Sequence, residues 1–313
     1  MSGFNEQEMA GEAVPGHLRE ERAGRWGPDA LHRMLLRFNR TRLRPALPQE
    51  DWEDDVALEG RLRGLEGAFV EQERQRVAGR AAEAPEDPDA FVAWFESLKQ
   101  TGPGQGDPLF PWLATQASLE PFRWFLTQEV AGEAGFDDLV ALTQVKLPTR
   151  AKLELARNYW DEMGRGREDA MHGPMLEELA KAMELHPTDE DTVWEAHALA
   201  NLLCALASNR RYTYQSVGAL GVVELTAPGR AACVNAGLER LGFGMRVRRY
   251  YAVHSTLDVK HSEAWNREVL RPLVAADPRV ARPIAEGALM RLAAGARCFE
   301  RYRRELGLVL PQA

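Results

Sequence analysis

The 313-residue chain, 45% hydrophobic and 27% charged, can bury a full core and has an ordinary globular composition. Its net charge of −8 and pI near 5.5 argue against a general nucleic-acid surface, so no nucleic-acid partner is expected. Cys204, Cys233 and Cys298 are far apart and form no C-x2-C pattern, which disfavours a disulfide framework or thiolate zinc site and suits a reducing interior.

Residues 1 to about 27 are polar and Gly-rich, and Met1-Ser-Gly-Phe-Asn-Glu lacks a basic region followed by an apolar run. No signal peptide is expected from it, and no apolar stretch reads as long enough to cross a bilayer. A cytoplasmic protein without a membrane partner is the expectation. Hydrophobic spacing then predicts helices over 28–43, 51–80 and 87–100; Leu31, Met34, Leu35 and Phe38 stripe the first, and Val56, Leu58, Leu62, Leu65 and Phe69 the second. The breaker Thr101-Gly-Pro-Gly-Gln-Gly-Asp-Pro108 is the preferred boundary between an N-terminal part, 1–105, and a helical domain, 106–313.

Beyond it the pattern predicts helices over 109–117, 119–132, 136–145, 149–163, 168–185, 190–208, 212–225, 228–241, 247–276 and 280–306. Pro148, Pro187, Pro228 and Pro278 fall at their starts or connections. No repeat of fixed length is present, which disfavours a solenoid. The expectation is an all-α bundle, with the N-terminal helices packed on it or acting in assembly.

The helix predicted over 247–276 carries His254-Ser-Thr-Leu-Asp258-Val-Lys-His261. Three potential metal ligands at i, i+4 and i+7 fall within roughly 60° of one another on a helix and can converge on one point. A bundle can complete such a site with carboxylates and histidines from other helices. An ionised carboxylate on an apolar helix face is costly unless paired or metal-bound, so such carboxylates are the ones to look for. Glu224 stands in the otherwise uncharged run Gly218-Ala-Leu-Gly-Val-Val-Glu-Leu-Thr-Ala-Pro-Gly. Glu162 ends an amphipathic segment, and His172 follows ten residues later, beyond Gly164-Arg-Gly166. Those glycines let the backbone unwind and turn both side chains inward. Glu129 lies in the mostly apolar Phe122-Arg-Trp-Phe-Leu-Thr-Gln-Glu-Val-Ala-Gly, and Glu133, one turn on, is an alternative.

Taken in order, Glu129, the Asp161-Glu162-Met-Gly-x-Gly…His172 segment, Gly218-Ala-Leu-Gly-x-x-Glu224 and Tyr251-x-x-His254-x3-Asp258-x2-His261 resemble the haem-oxygenase-like di-iron oxidases, often called iron-containing redox enzymes. The resemblance spans about residues 119 to 276. It implies a haem-oxygenase-like helical bundle, here with an N-terminal helical extension. It also implies two Fe(II) ions, with Mn as an alternative, and O2 as co-substrate reduced to a bridged peroxide. A small organic substrate (amino acid, amine or fatty acid), an external electron donor and a homodimer are within its scope. Carried over, the family pattern gives one iron Glu129, His172 and His261, and the other His254 and Asp258, with Glu162 and Glu224 bridging or between. It further implies that the 247–262 helix is partly frayed without metal, for which the β-branched Val247, Val253, Thr256 and Val259 are suited.

Three Glu and one Asp supply about four negative charges, matching two Fe(II); two Fe(III) with a peroxide dianion give the same total. Carboxylate and imidazole without thiolate suit iron or manganese. Two other readings compete. One is a metal-free, ligand-binding bundle like the thiaminase-type or quinone-cofactor-synthase proteins. The other is an interaction scaffold, which predicts scattered, solvated ligand candidates. Of the remaining residues, Glu195 and His197 read as structural, His17, His32 and His186 as surface, and most tryptophans as core. Trp160 is a candidate to back Glu162 and Tyr251 to line a pocket. Arg210, Arg211, Arg248 and Arg249 are candidates to hold a substrate carboxylate.

Overall fold

Helical periodicity is carried through almost the whole chain, and the computed structural model, which describes residues 26–308 except 49 and 51, contains helices and no strand among those residues. The expectations for the first 25 residues, including His17, lie outside the described residues. An N-terminal group comprises α1 (Pro28–Leu43), α2 (Trp52–Ala81) and α3 (Pro88–Thr101). Next come α4 (Leu109–Thr115), α5 (Leu119–Ala131), α6 (Phe136–Thr143), α7 (Thr149–Glu162) and α8 (His172–Ala182). The chain closes with α9 (Trp194–Ser208), α10 (Thr213–Arg240), α11 (Met245–Trp265), α12 (Arg271–Ala276) and α13 (Ala281–Glu305).

Helix α10 is the central pillar, packed chiefly against α11 and α13. Its burial explains one difference from the sequence reading: Pro228 does not divide it. Proline removes one helix hydrogen bond and crowds the carbonyl four residues back, here that of Glu224. Packing on both sides of α10 outweighs that local defect. Residues 210–240 also reach the length and apolarity of a membrane-crossing helix, contrary to the sequence reading, and most of that stretch is buried inside the bundle. The segment predicted as one helix over 247–276 instead contains a π-helical turn, Asn266–Leu270, between α11 and α12.

The N-terminal helices share the main apolar core. Leu35 of α1, Phe69 of α2 and Phe91 and Phe95 of α3 belong to the same buried cluster as Leu220, Trp265 and Leu289. His32 is buried rather than on the surface, edge-on to Phe69 and stacked on Trp194 at 5.7 Å. His197 and Glu195 are likewise buried; His197 Nε2 lies 3.2 Å from the Asp189 carbonyl.

Two glycines set how closely the pillar meets α13. A Cβ on Gly218 would lie 1.8 Å from the Ile284 carbonyl oxygen, and one on Gly287 would lie 1.8 Å from that of Gln215. Backbone therefore meets backbone at this crossing, and an alanine cannot be admitted without separating the helices. Gly218→Ala or Gly287→Ala is expected to destabilise the chain by about 3 kcal/mol. Urea unfolding followed by circular dichroism checks this, and an unchanged midpoint would contradict the close crossing.

Candidate metal centre

Six of the seven candidate ligands meet inside the bundle. Glu162 comes from the end of α7, His172 from the start of α8, Glu224 from the middle of α10, and His254, Asp258 and His261 from α11. All six are buried. The i, i+4, i+7 spacing on α11 does what its geometry suggested, because α11 runs as unbroken helix through all three positions.

Glu162 and His172 are joined by the turn between α7 and α8. Gly164, Arg165 and Gly166 all have positive φ, at 60°, 56° and 83°. A Cβ on Gly164 would sit 2.6 Å from the Ala170 carbonyl carbon, so this tight reversal requires glycine there. The reversal brings His172 Nδ1 to 2.9 Å from Glu162 Oε2.

Two overlapping groups of potential metal donors result, Glu162–His172–His254 and Glu162–Asp258–His261, each with its donor atoms within 4.8 Å of one another. Glu162 belongs to both. Its Oε2 lies 2.9 Å from His172 and 3.7 Å from His254, while Oε1 lies 3.8 Å from His261 Nδ1. Glu224 closes the second group, with Oε2 3.4 Å from His261 Nδ1 and Oε1 accepting from Asn158 at 2.5 Å. His172 and His254 are neighbours, 3.1 Å apart between ring nitrogens. The division carried over from the resemblance, which put His172 with His261, does not match this pairing.

The imidazoles are aimed from behind. His254 Nδ1 donates to the Tyr250 carbonyl at 2.6 Å, and His261 Nε2 donates to Asp161 at 3.2 Å. Each such bond fixes a tautomer and leaves the other ring nitrogen inward-facing and basic, as metal-binding histidines require. Buried His261 Nδ1 and Asp258 Oδ1 have no hydrogen-bond partner among the described residues. An imidazole nitrogen and a carboxyl oxygen left unpartnered among other carboxylates fit a cation and are otherwise costly.

Glu129 does not join this cluster. It lies elsewhere on the wall of the same cavity of about 180 Å³, where the Arg230 and Arg291 charges and the Tyr302 hydroxyl act on it. Glu133, one turn further, stands 3.6 Å from His172 Nε2 instead, with Oε1 accepting from the Gly135 amide. Positions i and i+4 share a helix face, so periodicity cannot choose between them. The choice is made by α5 ending at Ala131, just short of Glu133. Exchanging Glu133 for Glu129 keeps three Glu and one Asp, so the charge match to two divalent ions is preserved.

Three further residues contribute here: Asp161, which the sequence motif includes beside Glu162, behind His261; Tyr250, one of the tyrosines near the site in sequence, whose hydroxyl is 3.1 Å from His172 Nε2; and Asn158 on Glu224, which the sequence reading does not single out. Asn158 and Asp161 lie one turn and one residue before Glu162, a helical adjacency that gave a signal. Tyr251 lines the cavity. Trp160 is 53% exposed and so does not back Glu162. Tyr212 hydrogen-bonds Glu71, away from this cluster.

Electrostatics follow from burial and these contacts. Burial would raise the Glu162 carboxyl, but His172 and His254 outweigh it and hold it well below the usual range. Burial, with the Glu224 charge, pushes Asp258 up to about 8. Burial opposes protonation of His261, but Glu224 and Asp161 prevail and raise it to about 9.

A family profile described as iron-containing redox enzyme matches residues 123–296. The fold is similar to a crystal structure of a domain of unknown function with a haem oxygenase-like fold from Shewanella denitrificans. The TM-score is 0.50 at 16% identity, covering 69% of this chain and 90% of that one. A CADD-like protein of unknown function from Nostoc punctiforme aligns with TM-score 0.49 and 17% identity, over 79% of this chain and 99% of that one. No curated protein matches the sequence.

The Asp258 and His261 shifts have the same consequence for stability. Asp258 ionises near 4 when unfolded and about 8 when folded, so the folded chain binds more protons between those values and loses stability as pH rises through them. His261, raised from 6.5 to about 9, contributes stability below pH 6.5 that is lost as pH rises to 9. Metal-free protein should therefore melt at a lower temperature at pH 9 than at pH 6.5. Mn(II) should restore more of that loss at pH 9 than at pH 6.5, since it binds the deprotonated donors. Melts by circular dichroism with and without Mn(II) check this. A Mn(II) effect that is larger at pH 6.5 would contradict it.

Proposed function

We propose that this chain, which belongs to the iron-containing redox enzyme family, is an O2-dependent non-haem di-iron oxidase or oxygenase acting on a small organic substrate. The observation that carries the reading is the sharing of Glu162 by two three-donor groups. A single-ion site needs one such group. A carboxylate with one oxygen toward His172 and His254 and the other toward His261 is disposed to bridge two ions. In this reading His172 and His254, with Glu133 close by, would hold one ion, and Asp258, His261 and Glu224 would hold the other.

Bound as Fe(II), two ions would supply the electrons for O2 reduction and hence the oxidising power used on the substrate. The protein's residues do the rest. Tyr250 and Asp161 hold the imidazoles in orientation through backbone and carboxylate acceptors. Asn158 fixes one oxygen of Glu224, leaving the other toward His261. Phe136, Leu139, Leu176 and Leu203 give the cavity an apolar wall that limits water around the reacting centre. An external electron donor would return the oxidised ions to Fe(II).

The scaffold reading needs scattered, solvated candidates, and burial of six in one place counts against it. The metal-free bundle reading must explain why so many carboxylates and imidazoles are buried together, which a ligand-binding cavity alone does not demand.

Anaerobic Fe(II) titration of metal-stripped protein should reach two irons per chain. His254→Ala and Asp258→Ala should each lower that stoichiometry, while Asp161→Asn should keep it with roughly ten- to a hundredfold weaker affinity. Rapid mixing of the loaded wild type with O2 should give a transient visible absorption. No iron uptake above background by folded wild type would overturn the di-iron reading.

A further inference from the structure

The four arginines considered for holding a substrate carboxylate are all engaged elsewhere. Arg210 donates to the carbonyls of Leu142, Thr143 and Val145, and Arg211 pairs with Glu71. Arg248 bonds Asn235 and Glu239, and Arg249 bonds Asp169. The cavity instead presents two others, Arg230 of α10 and Arg291 of α13.

Neither has a carboxylate partner within ion-pair distance among the described residues. Arg230 Nη2 donates to Thr226 at 3.1 Å, while its Nη1 is buried without a partner. Arg291 Nε and Nη1 are also buried without partners. The fold makes room for this group: a Cβ on Gly295, one turn after Arg291, would fall 2.7 Å from Nη1. The Arg230 guanidinium also lies 5.9 and 5.6 Å from the Phe110 and Phe299 ring centres. Glu129 is the carboxylate that acts on both arginines. Glu129 offsets at most one of the two guanidinium charges, and burial pushes its own carboxyl up, so an excess of positive charge is left beside an apolar wall, where an unbalanced charge is costly.

This end of the cavity is distinct from the donor cluster. Glu133, two residues beyond the end of α5, lies against His172, whereas Glu129, in the last turn of α5, lies where the Arg230 and Arg291 charges act on it. On α10, Arg230 is six residues beyond Glu224, about 9 Å along the axis.

We infer that Arg230 and Arg291 form an anion-binding subsite that holds the carboxylate of the substrate, so that the substrate is a small carboxylic acid, with or without a further amine, rather than a simple amine. As a statement about the substrate, this rests on the proposed oxidase reading, because it places the anion at the far end of the cavity that the metal donors line. Guanidinium suits the task because its planar N–H groups match both oxygens of a carboxylate. Burial lowers Arg230 to about 9, helped by Arg291 and opposed by Glu129, which leaves it cationic at neutral pH.

Isothermal titration calorimetry on metal-stripped protein with hexanoate and with hexylamine tests the subsite without iron or turnover. Hexanoate should bind saturably and hexylamine should not. Arg230→Met and Arg291→Met should each weaken hexanoate at least tenfold while retaining the wild-type circular dichroism, and Arg291→Lys should recover part of the loss. Equal binding of the two probes would overturn the inference, as would no hexanoate binding by folded wild type or unchanged affinity in both methionine variants. Fe(II) titration of the same samples separates the two readings. Hexanoate binding without iron uptake keeps the anion subsite and removes the oxidase, whereas two irons without hexanoate binding does the reverse.

Discussion

Charge buried in an apolar bundle must be balanced, and the architecture around α10 is arranged by that constraint. Glu162, Glu224, Asp258, His172, His254 and His261 all lie under the surface, each within 4.8 Å of another member of the group. Carboxylates at such distances repel strongly in a low dielectric unless cations or protons sit between them. The protein meets part of this demand itself, through Asn158 on Glu224 and Tyr250 and Asp161 on the imidazoles. The inward faces of Asp258 and His261 are left for something else. Divalent ions are the natural complement, since four carboxylates including Glu133 match the charge of two of them.

Bringing these groups together requires local departures from regular helix. The α7–α8 reversal needs three successive residues at positive φ, and α5 must stop before Glu133 so that this side chain can approach His172. Pro228 within α10 leaves the Glu224 carbonyl without its usual amide partner, so a defect in the pillar sits at a donor residue. Elsewhere α10 is held hard against α13 through Gly218 and Gly287, and against α11 through Gly221, where a Cβ would meet Trp265 at 2.6 Å. Rigid crossings flank the irregular segments, which is the arrangement a preorganised site needs.

Much of this was legible in the sequence, for reasons that also explain what was not. The all-α fold follows from periodicity, and the haem-oxygenase-like architecture from the ordered motifs, consistent with the family profile and the Shewanella structure. His254, Asp258 and His261 share one helix, so spacing alone predicted their convergence. Glu224 was visible as a lone charge in an apolar run. Glu129 against Glu133 could not be decided, because both lie on one face and the helix end falls between them. The pairing of His172 with His254 depends on how far the Gly164–Gly166 turn swings α8, a tertiary quantity with no local signature. His32 was misjudged for a similar reason: its own helix looks polar nearby, and its burial comes from α2 and α9.

The rule that exposed Glu224 applies equally to positive charge. Arg230 stands in Ala227-Pro-Gly-Arg-Ala-Ala-Cys233 and Arg291 in Ala288-Leu-Met-Arg-Leu-Ala-Ala294, each the lone charge of its run. A buried carboxylate cluster can be neutralised by a metal that the protein retains. A buried guanidinium pair with no carboxylate within ion-pair distance among the described residues, and only Glu129 acting on both from further off, lacks such a resident complement, and a metal cation would only add to its charge. The two ends of the cavity therefore ask for complements of opposite sign and different permanence. On the proposed reading, a retained cation would answer one end, and an anion that arrives and leaves with each turnover would answer the other. A molecule with an anionic head at the arginines would place its remaining atoms along the apolar wall toward the donors, which is how a cavity with two polar ends converts charge balance into orientation.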